Sequence, residues 1–482
     1  MSEDTETKKD DFILTDELRE KASQTPVFNI LYVTDDDSKL SPFRGESIIK
    51  RLAMFYEKQA NINYSISSSA KLANIKLSEL DQYNIVFIDN VNNFRAAKHL
   101  ADIQQEILIS IDPKWRETLQ TLTDTNKEEA INFVNALNKK KEDKLRIIYA
   151  LDEFVWEAPI GRSHDIQTVQ LIETYMNMAD IIIVPTGELK EAILHFNFVG
   201  DKNKAIMVIP TSVDYDFFPL YKDFTRSNAF ASKQLRDKPK VLIKGISVPE
   251  NIQQFILDNH KKMDITLCSV GEVNEHIQGL LARKKVGHIY HWANPYVNRK
   301  NIGPTYAIER DGGYDFVIHT KPDNLNGEMY EITSGDEDIL FSIAYGAIPV
   351  SGIDHLGYDE DSSHLSKMCG LSFGKETTAK SLRSMIEAHT VPVKWNEVFN
   401  KCRSYVENRI SNSPLILARY FSAFLGKELA RARAEIASEI QSKMEVEVES
   451  ENKSTENKPE VESNKPQDNV IVADFGKGSE NE

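Results

Sequence analysis

The sequence predicts an α/β protein of two doubly wound domains facing a cleft, with disordered acidic ends. Three observations carry this. Short apolar runs rich in β-branched residues alternate with amphipathic runs at helical spacing. The connections between them are short, as in parallel βαβ units. The alternation also occurs twice, first up to about residue 214 and again from Lys240, across a loop around Phe217 to Lys238.

The chain has 482 residues, 41% of them hydrophobic and 27% charged, which is the composition of a globular protein with room for two ordinary domains and tails. Its formal charge of −16 is uneven: residues 443–482 carry a net −6 and residues 1–24 a net −4. The mildly acidic centre does not favour bulk nucleic-acid or anionic-membrane binding, which need clustered cations. The basic runs Lys139-Lys140-Lys141 and Arg283-Lys284-Lys285 read as solvated faces. Cys268, Cys369 and Cys402 are odd in number, far apart and without a CxxC pair, pointing to a reducing compartment and no structural zinc. With no apolar run near the ~20 residues of a membrane span and no signal-peptide pattern, a cytoplasmic protein is expected.

In order, residues 1–24 are expected to be disordered, and Val27–Thr34 is the first core strand. A helix follows with apolar positions at Ile48, Ile49, Leu52 and Phe55. Tyr83–Asp89 is the next strand, Ile107–Pro113 a further candidate strand, and residues 125–144 a charged surface helix. Arg146–Ala150 is a strand that runs into the acidic turn Leu151-Asp152-Glu153-Phe154-Val155-Trp156. Val169, Ile172, Tyr175 and Met176 mark a helix, Ile181–Val184 a strand, residues 188–194 a helix and residues 205–214 a closing strand.

In the second half Lys240–Gly245, Ile265–Val270, Gly287–Tyr290 and Tyr314–Thr320 read as strands, with helices at 249–260 and 273–285. A polar loop of about 17 residues follows, then a helix, glycine, strand unit over Asp338–Val350. Amphipathic helices run to about residue 443, and the tail beyond is too polar to order itself, though its apolar island Val470–Phe475 has the form of a docking peptide.

Two stretches carry a resemblance. "ADIIIVPTGEL…KAIMVIPTSVDYDFFP" and "YDFVIHT…GDEDILFSIAYGAIPVSG" are similar to segments of GT-B glycosyltransferases of the retaining group 1, family 4, type. "LDEFVWEAP" resembles the Asp-rich turn of a divergent, often phage-borne branch of that group. The resemblance spans roughly residues 27–425, with "WNEVFNKCRSYVENRISNSPLILARYFSAF" similar to the helices that cross back onto the first domain. It implies two Rossmann-like domains of GT-B type, 25–215 on the acceptor side and 216–400 for the nucleotide-sugar, followed by packing helices over 401–443 and an acidic tail over 444–482. It also implies a hexosyltransferase that retains configuration and uses a nucleotide-sugar as co-substrate, with no cofactor and no metal. The acceptor would be a glycan, a protein or modified DNA.

The resemblance gives each site residue an expected role. Asp152, with Glu153 beside it, stands where the family places its acceptor-side histidine or aspartate; the alternative is an acid that caps a turn. Gly45 and the pair Lys244-Gly245 match glycine turns whose backbone approaches phosphates. His319, Lys321 and Asn326 are expected near the diphosphate and sugar. The two glutamates of the family's E-x7-E motif, the second of which holds the nucleotide ribose, fall on Thr333 and Phe341, so Glu328, Glu337 or Asp338 would have to substitute. Thr186 reads as a helix cap, and Trp292, Tyr290 and Tyr296 as core. His288 and His291 point to opposite faces of a strand and so share no metal.

Three other readings stay open. Asp35-Asp36-Asp37 has the spacing with which GT-A transferases hold Mg²⁺ or Mn²⁺ against a diphosphate. The missing glutamates fit a catalytically inactive GT-B-like binding or scaffold protein. The same fold also serves nucleotide-sugar 2-epimerases.

Overall fold

The computed structural model describes residues 26–35, 46–89, 91, 93–152, 154–156, 166–200, 204–212, 238–245, 248–270, 279, 283, 287–291, 313–320, 337–352, 370–373, 377–407, 409 and 413–426. Two six-stranded parallel sheets organise them.

The first sheet contains β1 (Val27–Val33), β2 (Asn61–Ser67), β3 (Ile85–Asp89), β4 (Arg146–Ala150), β5 (Ile181–Val184) and β6 (Ala205–Val208). Their order is β2-β1-β3-β4-β5-β6, so the winding reverses between β1 and β3. The buried strands are continuous apolar runs, as expected where helices cover both faces. On one face Val33, Ile88, Ile147, Tyr149 and Ile182 pack against the helices Phe94–Ile111 and Ile166–Met178.

The alternate residues face the other way, and there the chain's last described helix, residues 414–426, closes the sheet. Phe424 meets Phe87 at 5.0 Å, Phe421 stacks on Tyr56 at 3.8 Å, and the buried guanidinium of Arg146 donates to the Phe424 carbonyl at 3.2 Å. Arg419 donates in turn to the carbonyl of Val208.

The second sheet contains β7 (Lys240–Gly245), β8 (Asp264–Val270), β9 (Gly287–His291), β10 (Phe316–Thr320), β11 (Ile348–Gly352) and β12 (Leu371–Phe373). In its own numbering the order is 3-2-1-4-5-6, that of dinucleotide-binding domains, with the reversal between β7 and β10. Val241, Ile243, Phe316, Ile318 and Val350 form one face of its core with the helices Glu250–Asn259, Glu337–Ala344, Ala379–Ala388 and Pro392–Glu407.

One local device recurs in both sheets. Asn84, Asp180 and Asp315 each stand one residue before a strand, and each exchanges two hydrogen bonds with the residue opposite. The side-chain oxygens of Asn84, Asp180 and Asp315 accept from the N–H of Asn29, Ile147 and Lys240, each at 2.8 Å. The three backbone N–H groups return bonds to the same residues' carbonyls. This explains the "AD" and "YD" pairs before the strands: the side chain satisfies a donor that the sheet has not yet reached.

Gly346 gives the helix Glu337–Ala344 its stop. At φ 84° it takes the left-handed conformation, while its N–H bonds the Ile343 carbonyl and the Ala347 N–H bonds that of Ser342. Gly370, at φ 110°, is tighter still: a Cβ there would lie 2.4 Å from the Pro349 carbonyl oxygen.

Several expectations are corrected. Ile107–Pro113 is not a strand; Ile107 to Ile111 end the helix Phe94–Ile111, whose buried Ala96, Leu100, Ile103 and Ile107 recur at helical spacing behind an Asn93 cap. Phe55 is 53% exposed, and Tyr56 takes the buried position instead. The closing strand of the first half stops at Val208. The strand β2 and the helix Trp115–Thr125 were not anticipated, because β2 buries only Ile62 and that helix buries no residue. Of the 273–285 helix only Gly279 and Arg283 are described, both helical, and Cys369 and the 470–475 island lie outside the described residues.

Asp315→Ala should cost about 1–3 kcal/mol in urea unfolding, since it orphans the Lys240 N–H, whereas Asp315→Asn keeps the acceptor and should cost less. Gly370→Ala should destabilise by more than the ~1 kcal/mol of a strained backbone alone, because the methyl meets a carbonyl as well.

Candidate functional site

Ligands of open parallel sheets bind beyond the carboxyl ends of the strands, where the winding reverses. In the second sheet that point joins β7 to β10. Lys244 pairs in register with His319, and Gly245 with Thr320; His319 pairs in turn with Ser351 of β11. Directly opposed residues project to the same face, so Lys244, His319 and Ser351 form one polar row across three strands. All three are buried, at 5%, 2% and 3% exposure. His319 Nε2 lies 3.1 Å from the Ser342 hydroxyl, and Thr320 donates to the Lys244 carbonyl at 3.4 Å.

Three of the residues expected to bind a donor, Lys244, Gly245 and His319, are thus brought together. Glu337 and Asp338 begin the helix Glu337–Ala344, with their side chains not described. Gly45, Glu153, Lys321, Asn326 and Glu328 lie outside the described residues. Phe341, where the resembled family carries a glutamate, is fully inside the hydrophobic core and stacked on Tyr345.

In the first sheet the reversal joins β1 to β3. Asp35, two residues beyond β1, accepts the Ser69 N–H at 3.0 Å. Asn93 donates to the Ser69 hydroxyl at 3.0 Å, and the Tyr175 hydroxyl donates to the Asn93 carbonyl at 2.9 Å. Tyr175 also lies parallel to Tyr149, ring centres 5.6 Å apart. Burial first, then the neighbouring Tyr149 and Asp35, push the Tyr175 phenol well above its ordinary value. Asp89, the last residue of β3, is 2% exposed; one carboxyl oxygen accepts from the Tyr32 hydroxyl at 2.8 Å, and the other has no hydrogen-bond partner among the described residues.

Asp152 lies two residues beyond β4, in the acidic turn. Aromatic packing fixes that turn: Phe154 is 1% exposed, and Trp156 stacks on Phe198 with ring centres 3.7 Å apart and donates to Glu173 at 2.8 Å. Thr186 does cap a helix, accepting from the Leu189 N–H. Sequence reasoning passed over Tyr32, Asp89, Ser342 and Ser351. Asp89 carried the same signal as Asp152, an acid ending an apolar strand.

Among the described residues, no group of three or more His, Cys, Asp or Glu side chains is placed to hold a metal ion, and no helix is long and apolar enough to cross a membrane.

No protein-family model and no curated protein sequence matches the chain. Solved structures do. HepE of Anabaena, in complex with UDP and glucose, is 11% identical, covering 83% of this chain and 100% of its own, with a TM-score of 0.41. An alpha-glucosyltransferase in complex with UDP-glucose and DNA containing an abasic site is 12% identical over 84% of this chain and 98% of its own, TM-score 0.43. A UDP-forming alpha,alpha-trehalose-phosphate synthase from Burkholderia vietnamiensis is 9% identical over 84% and 99%, TM-score 0.38.

Two outcomes follow from this geometry. Below pH about 10 the Tyr175 phenol keeps its proton whether the chain is folded or unfolded. Above it the unfolded chain ionises first, so stability should fall as pH rises, and Tyr175→Phe should flatten that fall in melts from about pH 9 to about pH 11. Phe154→Ala should lose about 3–5 kcal/mol in chemical unfolding, because it empties the packing under the acidic turn.

Proposed function

We propose that the chain is a glycosyltransferase of hexosyl type, taking a nucleotide-sugar donor at the carboxyl end of the second sheet and an acceptor at that of the first. The observation that carries the reading is the row Lys244, His319 and Ser351, with Gly245 and Thr320 beside it, at the reversal of a sheet with the dinucleotide-binding order. A buried ammonium supplies the point charge that a diphosphate leaving group needs, and the strand end offers backbone amides.

The resemblance to retaining GT-B transferases extends the proposal. It assigns residues 25–215 to the acceptor side, 216–400 to the donor and 401–443 to closing helices. It assigns Asp152 and Glu153 to the acceptor side and Lys321, Asn326 and Glu328 to the donor, with transfer that retains configuration and uses no metal or cofactor. A cytoplasmic setting, the host's if the chain is phage-borne, belongs to the same proposal. So does Gly45 as a phosphate-facing turn.

One observation favours a second reading. Phe341 fills the core where a ribose-holding glutamate would stand, which suits a GT-B-like binding or scaffold protein without turnover.

A thermal-shift screen with UDP-, GDP-, ADP- and CMP-sugars tests both. One donor is expected to stabilise the chain, by about 2.7 kcal/mol at a hundred times its Kd, and Lys244→Ala to abolish the shift. Release of the free nucleotide, lowered in Asp152→Asn, supports transfer. A shift with no turnover supports the scaffold, and no shift with any donor ends the donor-site assignment.

A further inference from the structure

The buried charges of the described residues differ in kind between the two sheets. Four acidic, lysine or arginine residues are buried: Asp89, Arg146, Lys244 and Asp315. Arg146 begins β4 and Asp315 precedes β10, so both lie at the amino ends, where Arg146 donates to the Phe424 carbonyl and Asp315 accepts from the Lys240 N–H. Asp89 and Lys244 are the two at the carboxyl ends, and each sits at its sheet's reversal: Asp89 on β3 beside β1, Lys244 on β7 beside β10.

Asp89 is under-satisfied in a way that the fold does not repair. Tyr32 holds one oxygen, and the other is enclosed without a donor. Leaving a buried acceptor unmade costs about 1–3 kcal/mol and more for a charged group, so an incoming hydroxyl or ammonium that bonds it recovers that free energy. Register places Ala150 of β4 directly opposite Asp89, so no long side chain competes from that strand. Two further acids, Asp35 and Asp152, follow neighbouring strands at the same edge. Among the described residues, the cations that follow these strands, Lys71, Arg95 and Lys190, are on the first turns of helices and none is buried. A phosphate brought to this edge would meet the buried carboxyl of Asp89 at low dielectric, a repulsion that specific sites use to reject partners.

We infer that Asp89 is an acceptor-binding residue, held by Tyr32, and that the acceptor is a neutral or amine-bearing polyhydroxyl compound rather than a phosphate-bearing one. The word acceptor rests on the glycosyltransferase reading; the preference for neutral or cationic polyols rests on Asp89 alone.

The test therefore needs no donor. Saturation-transfer NMR on the full chain, without nucleotide, uses methyl α-glucoside, glucosamine and glucose 6-phosphate as probes. The first two are expected to bind and the third not. Asp89→Asn and the apolar Asp89→Leu should weaken binding at least about tenfold, the size of one lost charge-assisted hydrogen bond. Asp89→Asn, which keeps an acceptor for the Tyr32 hydroxyl, should melt at or above the wild-type temperature, because the unsatisfied buried acid is gone; a purely structural acid would lower it.

Binding of glucose 6-phosphate as strong as that of methyl α-glucoside, binding of none of the probes, unchanged binding in either variant, or a lower melting temperature in Asp89→Asn would each overturn the inference. A failed donor screen with this pattern intact would remove the transferase reading and leave the Asp89 site standing.

Discussion

Everything at the functional edges depends on how the strands begin. Asp315 locks onto Lys240 through two hydrogen bonds, and four residues later along each strand His319 meets Lys244. Asn84 and Asn29 set β3 against β1 in the same way, so that Asp89 and Tyr32 come within a hydrogen bond of each other at the far end. Parallel strands have no hairpin to fix their register, and a slip of one residue would turn every side chain to the opposite face. A side chain that bonds the neighbouring strand's first free N–H supplies the missing reference point.

The two sheets then differ in what they bury at their reversals. An ammonium and an imidazole lie side by side in one and a carboxyl in the other. Burying such groups is unfavourable, and their concentration at the edges where open α/β sheets take ligands fits the general pattern of local cost at functional positions. The helix of residues 414–426 ties the C-terminal part of the chain to the first sheet with the Phe424 and Phe421 ring contacts and two arginine-to-carbonyl bonds.

The acidic turn after β4 shows the same division of labour on a smaller scale. Phe154, Trp156 and Phe198 do the packing, and Asp152 is carried to the sheet edge by them. A loop anchored by rings on one side can hold an acid in place without burying its backbone.

The alternation of apolar runs was enough to place most strands, because a buried parallel strand is a continuous β-branched stretch that helices interrupt at short intervals; β7 was read to the residue. The edge strand β2, with one buried residue, and the solvated helix Trp115–Thr125 left no such pattern, and Ile107–Ile111 imitated a strand because a helix buried along one stripe also shows short apolar runs. The site was legible only in part. Lys244, His319 and Asp152 stood out as polar residues ending apolar strands, but nothing in the order of residues says which strand lies beside which. Only the tertiary structure put β10 against β7 and β3 against β1, and with them His319 beside Lys244 and Asp89 under Tyr32. Side-chain chemistry is written locally along the chain, whereas neighbourhood in a doubly wound sheet is decided by hydrogen-bonded pairings between strands as much as seventy-five residues apart.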